Sequence, residues 1–195
     1  MTGQDRAQTP LDFAIAMGIF LLAVTFVFTF IPSLTAPFVE GNQDKTVTAD
    51  RVASHLAEGA LGDPAEPFVV DDDCARPFFD ESTDDGDIPS TCGYSGDELG
   101  ERVGVDTDRL QVNVTVEQID PDATGDARFR TVCIDDGNGE VSHAGNTSIT
   151  CDEEFVVGET ADADDSVVVA RRIVTIPGCT FDTESCDATL RVEVW

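Results

Sequence analysis

The chain has 195 residues and a net charge of -28, from 39 acids against 11 bases, so it has no basic patch with which to hold nucleic acid. Hydrophobic residues make up 41%, enough for one folded domain and too many for an acidic disordered tail. Lys45 is the only lysine, and aspartate outnumbers glutamate 26 to 13.

In chain order, residues 1–12 form an N-terminal arm that carries Asp5, Arg6 and Asp12. From Phe13 to Ile31 run nineteen uncharged, mostly apolar residues. As a helix they span about 28 Å, close to the thickness of a bilayer core. A secretory signal peptide has a shorter apolar core of roughly 7–15 residues, followed by a small-x-small cleavage site. Here the core is longer, and the nearest triplet, Leu34-Thr35-Ala36, is followed by Pro37. The segment is therefore expected to stay on the mature chain as a single transmembrane helix, with membrane lipid as its partner. Asp12 lies at the edge of that run, in what would be the first helical turn, just after Pro10. Acids there are favoured by the helix dipole, and proline suits a helix start.

Residues 32–66 read as a kinked linker and a short second helix. Pro32 and Pro37 are expected to stop or kink the first helix, since an interior proline costs ~3 kcal/mol. Thr48 is the expected N-cap of a helix over 49–60, with Val52, Leu56 and Ala60 on one apolar stripe. Gly62 and Pro64 end it.

Residues 67–195 read as an antiparallel β domain. The clearest strand is Arg109–Ile119. Leu110, Val112, Val114 and Val116 alternate with Gln111, Asn113, Thr115 and Glu117, which predicts one buried face and one wet face. Further strands are expected at Arg128–Ile134 and Glu154–Gly158. A terminal hairpin is expected from Ser166–Ile176 and Thr189–Trp195. The fold class is α+β. The intervening aspartate-rich stretches, 71–73, 80–87, 135–140 and 162–165, read as solvated loops. The one at Asp80 fails the calcium-loop pattern, having Ser82, Asp85 and Thr91 at positions 3, 6 and 12.

All six cysteines, Cys74, Cys92, Cys133, Cys151, Cys179 and Cys186, follow the apolar run. An even count on one side of a membrane points to disulfides and an oxidising, extracellular setting. No CxxC occurs, so neither a zinc site nor a redox motif is expected. Closing short loops costs the least entropy, which favours pairing Cys74 with Cys92, Cys133 with Cys151, and Cys179 with Cys186. Asn113-Val114-Thr115 and Asn146-Thr147-Ser148 fit the glycosylation sequon. Asn113 is placed on the outward face of its strand, where a glycan would have to sit.

Nothing in the sequence assembles an active site. Ser95 lies in "GYSGD", where Asp97 replaces the second glycine of a nucleophile elbow. The two histidines, His55 and His143, have no nearby cysteine or histidine in sequence. There is no P-loop and no dinucleotide turn, so no cofactor and no metal is expected, and the chain is read as a non-enzyme.

The residues around Asp12 carry a resemblance. Arg6-Ala7-Gln8 stands ahead of the apolar run, and a cut after Ala7 would make Asp12 the fifth residue of the mature chain. This resembles the class III signal peptide of type IV pilins and archaeal pilin-like proteins. It differs in having Asp for Glu, Ala before the cut and a single preceding base. The resemblance implies a prepilin-type peptidase as processing partner and retention of Phe13–Ile31 as a filament-core helix. It also implies that Asp12 meets the new N-terminal amine of a neighbouring subunit. The acid-rich, lysine-poor composition is similar to that of proteins from salt-loving archaea. The anchor, the "VARRIV" strand and the "VEVW" ending together resemble pilin-like surface proteins of haloarchaea. Three readings follow: a subunit of a surface filament or secretion-type assembly, with a structural or adhesive role; an uncut, monomeric, membrane-tethered binding module; and a tethered enzyme. The first two place the C-terminal domain outside the cell.

Overall fold

A computed structural model describes residues 5–39, 42–120, 123–135, 137, 139–146, 149–181 and 186–195. The chain divides into two units, Met1–Gln43 and Asp44–Trp195.

The first unit is dominated by helix α1, Asp5–Val39. Aliphatic and aromatic apolar residues fill its Phe13–Ile31 stretch, and its two central threonines satisfy themselves within it. Thr25 donates to the Leu21 carbonyl and Thr29 to the Thr25 carbonyl, each at 2.8 Å. The expected stop at Pro32 does not occur, because α1 continues through both Pro32 and Pro37. Each proline removes one backbone donor, opposite the carbonyls of Phe28 and Ser33.

Helix α2 covers Asn42–His55, all but its first two residues in the second unit, and runs on as a π-helical turn, Leu56–Ala60. Thr48 is therefore not its N-cap but a buried residue inside it, with Asp44 supplying the acid of the first turn. No breaker lies between Asn42 and Thr48, so the helix starts earlier than expected. Val52, Leu56 and Ala60 are all buried, as their stripe predicts. Gly62 then lets the chain turn tightly, because a Cβ there would stand 2.2 Å from the Val69 carbonyl oxygen. Phe68 follows in a left-handed conformation, φ 67°. Its N–H donates to Ala57 at 2.7 Å and its carbonyl accepts from Thr175 at 2.8 Å, which locks it against both neighbours.

Where a strand periodicity was expected from Pro67, the chain forms α3, Asp72–Phe79. Asp71 caps it by accepting from the Asp73 N–H, and Asp72 and Asp73 sit in its first turn. The 71–73 aspartates are thus a helix start and not a loop. Cys74, Ala75, Phe78 and Phe79 form its buried face. Phe78 meets Tyr94 edge-on at 5.2 Å, and Phe79 stacks on Phe155 at 4.9 Å. A short helix, α4, covers Leu99–Val103.

The remainder is one antiparallel sheet: β1 Val112–Ile119, β2 Phe129–Asp135, β3 Glu140–His143, β4 Glu153–Glu154, β5 Val156–Val157, β6 Val168–Thr175 and β7 Asp187–Val194. Its order is β3-β2-β1-β7-β6, with β4 on β2 and β5 on β1. The hairpin β6–β7 forms as expected, and Trp195 closes the sheet by exchanging two backbone hydrogen bonds with Gln111. Val114, Val116, Leu190 and Val192 pack on one face against α2 and α3 residues in a single core. The fold is α+β with three disulfides, Cys74–Cys92, Cys133–Cys151 and Cys179–Cys186, which is the local pairing that loop closure favours.

Candidate functional site

From Asp12 to Thr29 helix α1 is long and apolar enough to cross a membrane, and none of that window is buried. Phe13, Ile19, Phe20, Leu22, Phe26 and Phe28 project on all sides. A helix that is apolar all round has no wet face and calls for a lipid or helical environment. Asp12 is exposed at its head. Ala7 and Gln8 both lie in the first turns of α1, so the bond between them is helical. Pro10 lacks an N–H, so the Arg6 carbonyl has no intrahelical acceptor role and the first turn is weakly held.

Among the described residues the second unit presents no comparable site. His55 is exposed on α2, His143 is buried beside Phe181, and Ser95 is an exposed loop residue. Two shallow depressions adjoin near α4. One is lined by Glu81, Asp97, Glu98, Leu99, Arg102 and Val157, the other by Glu81, Leu99, Thr107, Gln111, Gly158 and Glu159. Neither holds a histidine or a nucleophile beside a base. Among the described residues no group of three or more His, Cys, Asp or Glu side chains is placed to hold a metal ion.

The aspartate stretches are used locally. Asp80 accepts from the Ser82 N–H and hydroxyl and from Thr83, and the Ser82 hydrogen bonds hold its carboxyl below the usual carboxylate range. Asp85 accepts from the Gly96 N–H while Asp97 accepts from the Asp85 N–H, fastening two loops together. Burial pushes the Tyr94 hydroxyl well above its ordinary value, and that hydroxyl donates to the Cys74 carbonyl at 2.8 Å.

The outward exposure expected for Asn113 is corrected. Asn113 is only 6% exposed, its Nδ2 donates to the Gly158 carbonyl at 3.0 Å, and its Oδ1 accepts from Thr115. The polar side of β1 is covered because β1 is central, with β7 on one side and β2 and β5 on the other. Arg191 lies across that side and pairs with Glu117 at 3.0 Å and with Glu193. Asn146 is partly exposed, and its Nδ2 donates to the Ser142 hydroxyl at 2.8 Å. Thr147 and Ser148, which complete its sequon, lie outside the described residues.

One residue that sequence reasoning passed over organises the loops. Arg102, 2% exposed on α4, donates to the carbonyls of Pro77, Phe78, Asp80, Thr83, Gly96 and Asp97. In sequence it looks like one more base in "GERV", and only the convergence of distant carbonyls reveals it.

Fold and helix together define an apolar N-terminal helix joined to a disulfide-linked α+β domain. The chain belongs to a family of unknown function (DUF7287), whose profile matches residues 4–195 and so takes in α1 as well as the sheet. No curated protein and no solved structure matches the chain.

Proposed function

We propose that this protein is a membrane-anchored, externally displayed subunit of pilin-like kind. Helix α1 sits in the bilayer or, after a cut between Ala7 and Gln8, in the core of a filament. The observation that carries the reading is the window Asp12–Thr29, apolar on every side and wholly uncovered. In water such a surface drives association, whereas lipid or like helices satisfy it. The six paired cysteines favour an oxidising exterior for the domain that follows. The acidic surface suits a salty medium, where repulsion between carboxylates is screened within about 3 Å at about 1 M salt. The role is structural or adhesive, with other pilin-like subunits as partners through Phe13–Ile31. Pairing Asp12 with a neighbour's amine would fix the register of packing, because leaving an acid unpaired among apolar helices is costly.

Mass spectrometry of the native N-terminus tests this. A mature chain beginning at Gln8 supports the filament subunit. An intact Met1 or Thr2 on a protein that resists carbonate extraction sinks the processing and keeps the anchor. A freely soluble protein with reduced thiols sinks both. The uncut, monomeric tether is the second reading, and one observation favours it: α1 runs without interruption through the Ala7–Gln8 bond. A peptidase must unwind that turn before it can cut.

A further inference from the structure

The six carbonyls around Arg102 come in three pairs, each from a different stretch of chain. Pro77 and Phe78 stand in the last turn of α3, where helix carbonyls have no partner within the helix and the dipole favours a cation. Asp80 and Thr83 follow in the next loop, and Gly96 and Asp97 belong to the loop before α4. All six lie 2.6–3.3 Å from guanidinium nitrogens, so five N–H donors face six acceptors. Gly96 takes φ 112°, and a Cβ there would stand 2.5 Å from that of Glu101, so the backbone at this corner requires glycine. Among the described residues no carboxylate pairs with Arg102. The balancing charge lies further out, since residues 80–101 carry eight acids and no base. Backbone oxygens thus form a cage around a planar cation, inside a belt of carboxylates.

We infer that this cage is a guanidinium-binding site in its own right, which the chain fills with its own side chain and which takes a free alkylguanidinium ion when that side chain is removed. Shape and charge select the ligand. An ammonium is too compact to reach three stretches of backbone at once. A urea has the same planar outline but carries an oxygen in place of one amino group, and that oxygen would meet backbone oxygens. The filled site pins the end of α3 to both loops, and these loops supply Glu81 and Asp97 to the wall of the depression beside Leu99. Asp85 and Asp97, which fasten the two loops to each other through the Gly96 and Asp85 N–H groups, lie on the exposed side of the same pin. The Cys74–Cys92 disulfide tethers α3 to this region, so emptying the cage loosens the loops without freeing them. The site lies within the second unit and needs neither cleavage after Ala7 nor association of α1, so it stands apart from the filament reading.

The test is chemical rescue in the full chain, in detergent at about 2 M sodium chloride, where added salts barely change the screening. Arg102→Ala removes the atoms of an ethylguanidinium ion. Its melting temperature should fall below that of the wild type. Ethylguanidinium chloride should raise it again along a saturating curve, half complete at about 10 mM for a ligand of so few atoms. The wild type, whose cage is filled, should show no such rise. Hydrogen exchange on the same samples should show protection returning at the Asp85 and Gly96 amides, with the β7 amides unchanged. Ethylammonium chloride and ethylurea at equal concentration should leave Arg102→Ala where it was. If Arg102→Ala does not fold, its refolding yield is read instead, and ethylguanidinium alone should restore it. Absence of rescue overturns the proposal. So does an equal rise in the wild type or with ethylammonium, which marks a general salt effect, or an equal rise with ethylurea, which makes the cage indifferent to charge.

Discussion

Arg102 donates from a buried guanidinium to the carbonyl of Pro77 at 2.9 Å, at the C-terminal turn of α3. Its other N–H groups reach the carbonyls of Thr83 at 2.6 Å and Gly96 at 3.0 Å. A single planar fork thus joins a helix end to two loops otherwise rich in aspartate. Lysine is too compact to span those acceptors and would leave several buried carbonyls unpaired. Arg102→Lys is predicted to cost about 3 kcal/mol, lowering the melting temperature by about 6–12 °C for a domain of this size. Thermal unfolding followed by circular dichroism checks it, and an unchanged melting temperature would show that water serves these carbonyls equally well.

The disulfides should differ in worth according to the loops they close. Cys74–Cys92 spans 18 residues and Cys179–Cys186 spans 7. Chain entropy then gives about 3 kcal/mol for the first and roughly 1 kcal/mol less for the second. Replacing both cysteines of each pair by serine, one pair at a time, should destabilise the protein more at Cys74–Cys92. Denaturant melts of the two double variants rank them directly.

Much of this was legible in the sequence, for physical reasons that differ by element. The strands β1 and β7 have period-two alternation, which no helix can accommodate, and β6 is a short run rich in valine and isoleucine, so their existence was readable even though β1 starts at Val112 and not at Arg109. The disulfide pairing was readable because each bridge joins neighbours along the chain. Helix α3 was not, because its eight residues give barely two turns and Pro77 argues against a helix. Yet the Asp71 cap and the acids behind it are a helix-start signal that the general acidity of the chain obscured. The burial of Asn113 was illegible for another reason. Alternation tells which side of a strand a residue faces, not whether the far side is covered by a neighbour such as Arg191.

Two sequons meet different fates in the fold. The Asn113 amide nitrogen, the atom a glycan would occupy, is already committed to Gly158 inside the sheet. A sugar on that buried nitrogen would force the strand off its neighbours, whereas Asn146, whose Nδ2 also donates a hydrogen bond, is partly exposed. Any N-linked glycan on the native protein is therefore predicted at Asn146, with the peptide spanning Asn113 recovered at its unmodified mass. Asn113→Ala should remove about 1–2 kcal/mol of stability through the orphaned Gly158 carbonyl while leaving glycan content unchanged. A glycosylated Asn113 in folded material would show that the sheet opens there.

Helix α1 offers the sharpest separation between anchoring and assembly. Leu22 lies near the middle of the Asp12–Thr29 window, so an arginine there has the longest reach to either interface. Its insertion cost is about 2.5–3.5 kcal/mol on the translocon scale, enough to release a large share of the chain from the membrane. Asp12 sits at the edge of the same window, where an acid reaches the headgroups and contributes little to insertion. Leu22→Arg should therefore lower the membrane-retained fraction after carbonate extraction. Asp12→Asn should leave that fraction at the wild-type level and reduce only the yield of sedimentable assemblies. The pair of outcomes matters more than either alone. If Asp12→Asn changes neither quantity, the acid is a helix-start residue favoured by the dipole, and α1 is a tether without a register device. If it releases the chain from the membrane, Asp12 anchors α1 and the reading of its role as intersubunit pairing is lost.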